Sequence, residues 1–186
     1  MDRRGIALPL AILLCAALGF VVAGAAELSL TAGRISRNFD SYNHAFDAAE
    51  AGLDEGVERL AASYEAGAVP PDTATVAAGV LAGYVYSVRA AVRRERPGQD
   101  LNGNGAPGEV VRYDRAWGFA SAQSSGGPGD VGEPVRQLTS ATAGPGAAEE
   151  LRLEVAFERD PAISAPTARG AWRAIPLHWS ALVERP

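Results

Sequence analysis

Oxygen donors stand at every second position in Asp100-Leu101-Asn102-Gly103-Asn104-Gly105, the pattern that opens a calcium-binding EF-hand loop. Such a loop needs a bidentate glutamate at its twelfth place, and counting from Asp100 that place is Val111. A calcium site of another kind would draw on Asp100, Asn102, Asn104 and Glu109, with Asp114 as a further donor. The same residues also suit a hairpin loop, because Asn-Gly pairs are favoured in turns. Arg89, Arg93, Arg94 and Arg96 form a basic cluster, suited to an acidic partner or to a solvated strand edge that discourages pairing. His44 lies four residues after Asp40 and three before Asp47, which on a helix makes a surface ion pair. His178 adjoins Trp179 and has no nucleophile near it in sequence.

Composition removes several kinds of chemistry. All 17 basic residues are Arg, so the chain lacks the amine of a P-loop lysine, a Schiff-base lysine or a Ser-x-x-Lys dyad. A net charge of −5 argues against nucleic-acid binding by bulk electrostatics. Cys15 is the single cysteine and there are two histidines, which excludes an internal disulfide and a thiolate metal cluster. No Gly-x-Ser-x-Gly or His-Glu-x-x-His string occurs, and no enzymatic activity is expected. The 186 residues are 47% apolar, enough for a buried core.

The elements that would position these residues begin with a helix. Arg3 and Arg4 precede Ile6–Ala26, 21 residues without a charge, which as a helix spans about 31 Å, the thickness of a bilayer's hydrocarbon core. The leading arginines hold the N-terminus on the cytoplasmic side and send the remainder across. A secretory signal peptide has the same basic start and apolar middle, and Ala23-Gly24-Ala25 is an acceptable small-x-small cleavage site. The helical pattern nevertheless continues past that point. Ile35, Phe39, Tyr42, Phe46, Ala49, Leu53, Val57, Leu60 and Tyr64 recur at steps of three and four, while Asp40, Asp47, Glu50, Asp54, Glu55 and Glu58 fall off that stripe. Pro9 sits in the first turn, no proline interrupts Leu10–Val69, and Pro70-Pro71 supplies a stop. The spacing predicts one helix over Ile6–Tyr64, roughly 90 Å long. Gly19, Gly24, Gly33, Gly52 and Gly56 each weaken it by about 1 kcal/mol relative to Ala.

Two segments of this region carry a family resemblance. Arg4-Gly5-Ile6-Ala7-Leu8, followed some forty residues later by Ala45-Phe46-Asp47-Ala48-Ala49-Glu50-Ala51-Gly52-Leu53, resembles the N-terminal region of type IV pilins, and more nearly the PilX-type minor pilins. The minor pseudopilins of type II secretion, of the GspK kind, are also similar. The resemblance covers the first 60 residues or so. It implies cleavage between Gly5 and Ile6 by a prepilin peptidase, methylation of the new amine, and retention of the apolar helix as an assembly device carried by Ile6, Leu10, Leu14, Leu18 and Phe20. It implies other pilins and an inner-membrane assembly platform as partners, with the lipid bilayer as the environment before assembly. The chain would sit in the inner membrane with its C-terminal part periplasmic, then in a filament. Major pilins carry Glu as the fifth mature residue, where this chain has Leu10. A carboxylate in lipid is costly and in that family pairs with a neighbour's N-terminal amine. Leu10 therefore favours a minor, tip-located or initiating subunit over the main fibre repeat. Small residues such as Ala16, Ala17, Gly19, Ala23 and Gly24 permit close backbone approach between helices. Calcium-binding pseudopilins lend the Asp100 loop an analogy and no more.

Beyond Pro70-Pro71 the helical period is lost. Thr73–Leu81 reads as a short Ala-rich turn or helix. Alternation predicts strands at Tyr84–Val92 and Leu151–Glu158, with further strands at Glu109–Tyr113, Trp117–Ala120 and Val135–Thr142 and a last short one around Ile175, Leu177 and Trp179. Residues 97–147 hold 11 of the 21 glycines and five of the 12 prolines, which predicts long surface loops. Trp172 and Trp179 are expected to pack against the sheet, the other possibility being a partner-facing patch. The expected fold is α+β and type IV pilin-like, a long helix on an antiparallel sheet. Its parts are a leader at 1–5, a membrane and assembly segment at 6–26, an amphipathic helix and linker at 27–69, and a β-rich head at 70–186. A secreted binding module released by signal peptidase, using calcium or its Gly-rich loops, is the alternative of a different class. An envelope hydrolase is a third, for which the sequence offers no catalytic residue.

Overall fold

The computed structural model describes residues 7–101, 105, 108–114, 119–122, 133–159, 162–163 and 171–182. The protein is α+β. A helix, α1 (Ala7–Glu65), is followed by strands β1 (Thr73–Leu81), β2 (Tyr84–Val92), β3 (Val111–Asp114), β4 (Phe119–Ala122), β5 (Arg136–Ala143), β6 (Glu150–Arg159) and β7 (Trp172–Leu182). The chain divides into two compact units between Ser41 and Tyr42. In the first unit α1 is uninterrupted from Ala7, and its side chains from Leu8 onward are solvent-exposed, with Gly33 and Ser41 half-buried.

The second unit joins the C-terminal part of α1 to a five-stranded antiparallel sheet of order β1-β2-β5-β6-β7, accompanied by the β3-β4 hairpin. Ala49, Leu53, Leu60 and Tyr64, with Phe46 and Val57 beside them, pack on Val88, Ala90, Leu138, Leu151, Val155 and Phe157. Fully burying each such side chain contributes roughly 1.5–3 kcal/mol. The helical stripe therefore meets the sheet from Phe46 onward, while Ile35, Phe39 and Tyr42 on the same stripe stay exposed. Ala45, Ala48, Gly52 and Gly56 are also buried on this side. A Cβ at Gly56 would lie 2.9 Å from Val88 Cγ1 and 3.0 Å from Leu138 Cδ2, so its bare backbone lets helix and sheet approach.

Thr73–Leu81 corrects the expected turn or helix. It is a nine-residue strand paired with β2 from Thr73↔Ala91 to Leu81↔Tyr84. Ala82 and Gly83, both at positive φ (50° and 84°), close the hairpin, a backbone whose twist suits a two-residue turn. The ladder to β2 outweighs the helix propensity of its alanines. The alternation at Tyr84–Val92 matches β2, and the other strands fall within two residues of their expected starts, except the last. β7 runs 11 residues and passes through Pro176. It lies at the sheet edge, where a missing N–H is tolerated, and the register with β6 shifts between Glu154 and Val155 opposite that proline.

Two buried polar side chains tie the sheet to its connections. Arg136, 2% exposed, donates from Nη2 to the Pro70 carbonyl at 2.8 Å, from Nη1 to the Pro71 carbonyl at 2.7 Å and from Nε to the Tyr64 hydroxyl at 3.4 Å. It thereby holds the end of α1 and the Pro-Pro linker against β5. Glu95 is buried and accepts the N–H groups of Leu101 at 2.8 Å and Glu109 at 3.3 Å, drawing both ends of that loop together.

Candidate membrane and assembly helix

The residues expected to carry assembly lie at the start of α1. Leu10, Leu14 and Leu18 follow at steps of four and so share one helix face, with Phe20 on another. All four are exposed, Phe20 at 81%. The most apolar 18-residue window of α1 has none of its surface buried, and α1 is long and apolar enough to cross a membrane, which fits a single-pass anchor and a signal sequence alike. No charged residue stands between Ala7 and Ala26; Glu27, Arg34 and Arg37 follow. Exposed apolar residues continue past the charge-free run as Leu28, Leu30, Ile35 and Phe39. Gly19 and Gly24 have open space where a Cβ would stand, so a neighbouring backbone could approach there. The thiol of Cys15 is free and exposed. Gly5 and Ile6, the expected processing site, lie outside the described residues.

The candidate calcium loop is described only in part. The Asp100 carboxylate accepts the Gly105 N–H at 2.7 Å, as in a side-chain-closed turn. Glu109 is half-buried and its N–H donates to Glu95. Asn102 and Asn104 lie outside the described residues, and of Asp114 only the backbone is described. Among the described residues no group of three or more His, Cys, Asp or Glu side chains could hold a metal ion. Glu95, which organises this loop, was not singled out by its sequence, since its partners are backbone N–H groups with no motif of their own.

The basic cluster divides on the sheet. Arg93 pairs with Glu154 at 2.5 Å, Arg94 pairs with Asp72 at 3.1 Å, and Arg89 and Arg96 are exposed. His44 forms no ion pair on α1 and instead faces Tyr84, ring centroids 6.5 Å apart. Trp172 belongs to β7 and packs across the core on Tyr64 of α1, ring centroids 4.9 Å apart. Trp179 meets Phe46 edge-on at 5.9 Å while 48% of it stays exposed, so it serves the core only partly.

Titration behaviour in the head follows its hydrogen bonds. The Tyr86 hydroxyl donates to Glu55 Oε2 at 2.6 Å, and this bond, with Arg59 assisting, holds the Glu55 carboxyl below its usual value and lifts the Tyr86 phenol. Burial raises Glu149, whose Oε2 has no hydrogen-bond partner among the described residues. Burial likewise raises Tyr64 against the opposing pull of Arg136.

Comparison with family models, curated proteins and solved structures finds no match to this chain.

Proposed function

We propose that this chain is a minor pilin, or the equivalent pseudopilin, that waits in the inner membrane and then enters a type IV pilus-like filament. The observation that carries the reading is the continuity of α1. One helix begins as an exposed, charge-free apolar segment and ends as the core helix of an α+β head. Leaving a side chain such as Leu or Phe in water instead of an apolar phase forgoes roughly 1.5–3 kcal/mol each. Lipid first, and neighbouring helices later, answer that demand without new chemistry. A chain cut after Ala25 would lose most of this surface and leave Leu28, Leu30, Ile35 and Phe39 to water.

On this reading Gly5 and Ile6 flank the prepilin peptidase cut, and Leu10 marks an initiating or tip subunit because it presents no carboxylate to a preceding subunit's amine. The head works by position and contact, with no catalytic group assigned. Its partners are other pilins, the peptidase and the assembly platform. Co-expression with a prepilin peptidase tests the reading. The expected product loses residues 1–5 only when the peptidase is present. A product that the peptidase leaves unchanged, or one already shortened to about residue 25, contradicts it.

A further inference from the structure

We propose that the free edge of β1 takes up an extended segment of a different protein, which adds as a further strand and seats one large apolar side chain in the cavity beside it. β1 is the terminal strand of the sheet, and among the described residues its only pairing is with β2. The Val92 N–H donates to the Asp72 carbonyl at 2.8 Å, and the two-residue turn at Ala82-Gly83 closes on the Leu81↔Tyr84 pair. Hydrogen-bonded and non-bonded pairs alternate along an antiparallel ladder. Counted inward from both ends, Thr73, Thr75, Ala78 and Val80 therefore turn their N–H and C=O groups to the open side, on either side of the irregularity between Thr75 and Ala77. All four residues are exposed. Each outer strand of the sheet carries one register shift, but Thr73–Leu81 holds neither a charged residue nor a proline. β7, at the other edge, carries Pro176 and the exposed Arg173 and His178, which discourage pairing.

A cavity of about 490 Å³ opens beside the first half of β1, lined chiefly by Leu60 and Ala62 of α1, Val69 and Pro70 of the linker, and Ala74 and Val76 of β1. Val69 stands 85% exposed there. Two demands thus meet at one place. The open backbone groups call for an extended backbone, and the cavity calls for a large apolar side chain on the α1 side of it. A second copy of β1 meets only the first demand. On its α1 side β1 carries Ala74, Ala77 and Gly79, opposite Ala90, Val88 and Tyr86, and its Val76 packs on its own core. Two β1 edges paired together would leave both cavities unfilled. The occupant is therefore a foreign strand, free of charge where it lies on β1, with one Leu, Phe or Trp among its inward residues. The contact uses none of residues 7–41. It consumes one partner per copy and extends no filament.

Peptide display against the full chain in detergent micelles tests this, the probe being a random library of peptides matched in length to the nine residues of β1. Enriched peptides should alternate apolar and polar residues, lack charge at their centre and share one Leu, Phe or Trp. Their binding should slow amide exchange across residues 73–80 roughly tenfold or more. Ala62→Phe, which fills the cavity from an exposed helix position, should weaken binding roughly tenfold. Ala78→Pro removes one edge donor and no bond to β2, and should weaken it as much. If that variant fails to fold, Ala62→Phe decides alone. No enrichment, protection of another segment, or binding indifferent to Ala62→Phe would overturn the proposal. So would a chain that protects residues 73–80 by itself as a dimer, since a second copy would then be the occupant. Where the mature chain begins does not enter this measurement, so its failure leaves the filament reading standing.

Discussion

Gly52 of α1 lies so close to Ser140 of β5 that a Cβ on it would stand 2.7 Å from the Ser140 Oγ and 2.8 Å from the Tyr86 ring. The helix touches the sheet at a point where only a hydrogen fits. Gly52→Ala should therefore destabilise the head by about 1–3 kcal/mol through overpacking, although Ala is the better helix former. Gly33, with open space around it, gives the contrast. Gly33→Ala should strengthen local helix by about 1 kcal/mol, read as slower amide exchange over residues 29–37. A thermal melt in which Gly52→Ala matches or exceeds wild type would contradict the packing account.

Arg136 is expected to be among the most sensitive positions of the head. Arg136→Met fills similar volume but leaves the Pro70 and Pro71 carbonyls without their donors, and should cost about 2–4 kcal/mol in denaturant or thermal unfolding. Arg136→Lys should recover only part of this, because one ammonium does not reproduce the planar fork. Equal stability of wild type and Arg136→Met would show that the linker is held by something else.

Two carboxylates set opposite pH dependences. Glu55 is held below its usual value, so its contribution is present above the ordinary carboxylate range and is lost as pH falls through the depressed value. Tyr86→Phe should then melt below wild type at neutral pH, and the gap should close in acid. Glu149 is raised by burial, so its ionised form opposes folding above that value and the penalty disappears as pH falls through it. Glu149→Gln should be more stable than wild type at neutral pH and equal to it in acid. Parallel melting curves for either variant across that range would contradict its assignment.

What could be read without coordinates follows from where each signal resides. The stripe from Phe46 to Tyr64 and the alternation of Tyr84–Val92 are local patterns, and both fit the observed packing. Thr73–Leu81 shows no strand signal because its alanines carry no period, and what makes it a strand is pairing with β2, invisible until β2 is placed. Gly52 and Gly56 read as weaknesses of the helix, and only the position of Val88, Leu138 and Ser140 turns them into contact points. Nothing in the sequence marks Arg136, since its partners are backbone carbonyls some 65 residues earlier. Of the exposed start of α1, the apolar character is legible throughout. Of the loop that begins at Asp100, the turn closed by that carboxylate is seen, and the two asparagines lie outside the described residues.

The apolar start of α1 should behave as a membrane segment sensitive to charge. Leu14→Arg places a cation near the middle of the charge-free run, where insertion scales assign a penalty of about 2.5–3.5 kcal/mol. The variant should shift from the carbonate-resistant membrane fraction toward the soluble or degraded pool, while Ser36→Arg, beyond that run, should not. Equal membrane retention of Leu14→Arg would contradict a lipid-facing role for this segment.

Intact mass of the mature protein, isolated from cell envelopes, is the most direct measure of whether the apolar helix is kept. The mature chain should begin at Ile6 and carry the added mass of one methyl group on its new amine. A mature chain that begins at Ala26 or Glu27 would contradict it, because the surface assigned to lipid and then to neighbouring helices would have been removed.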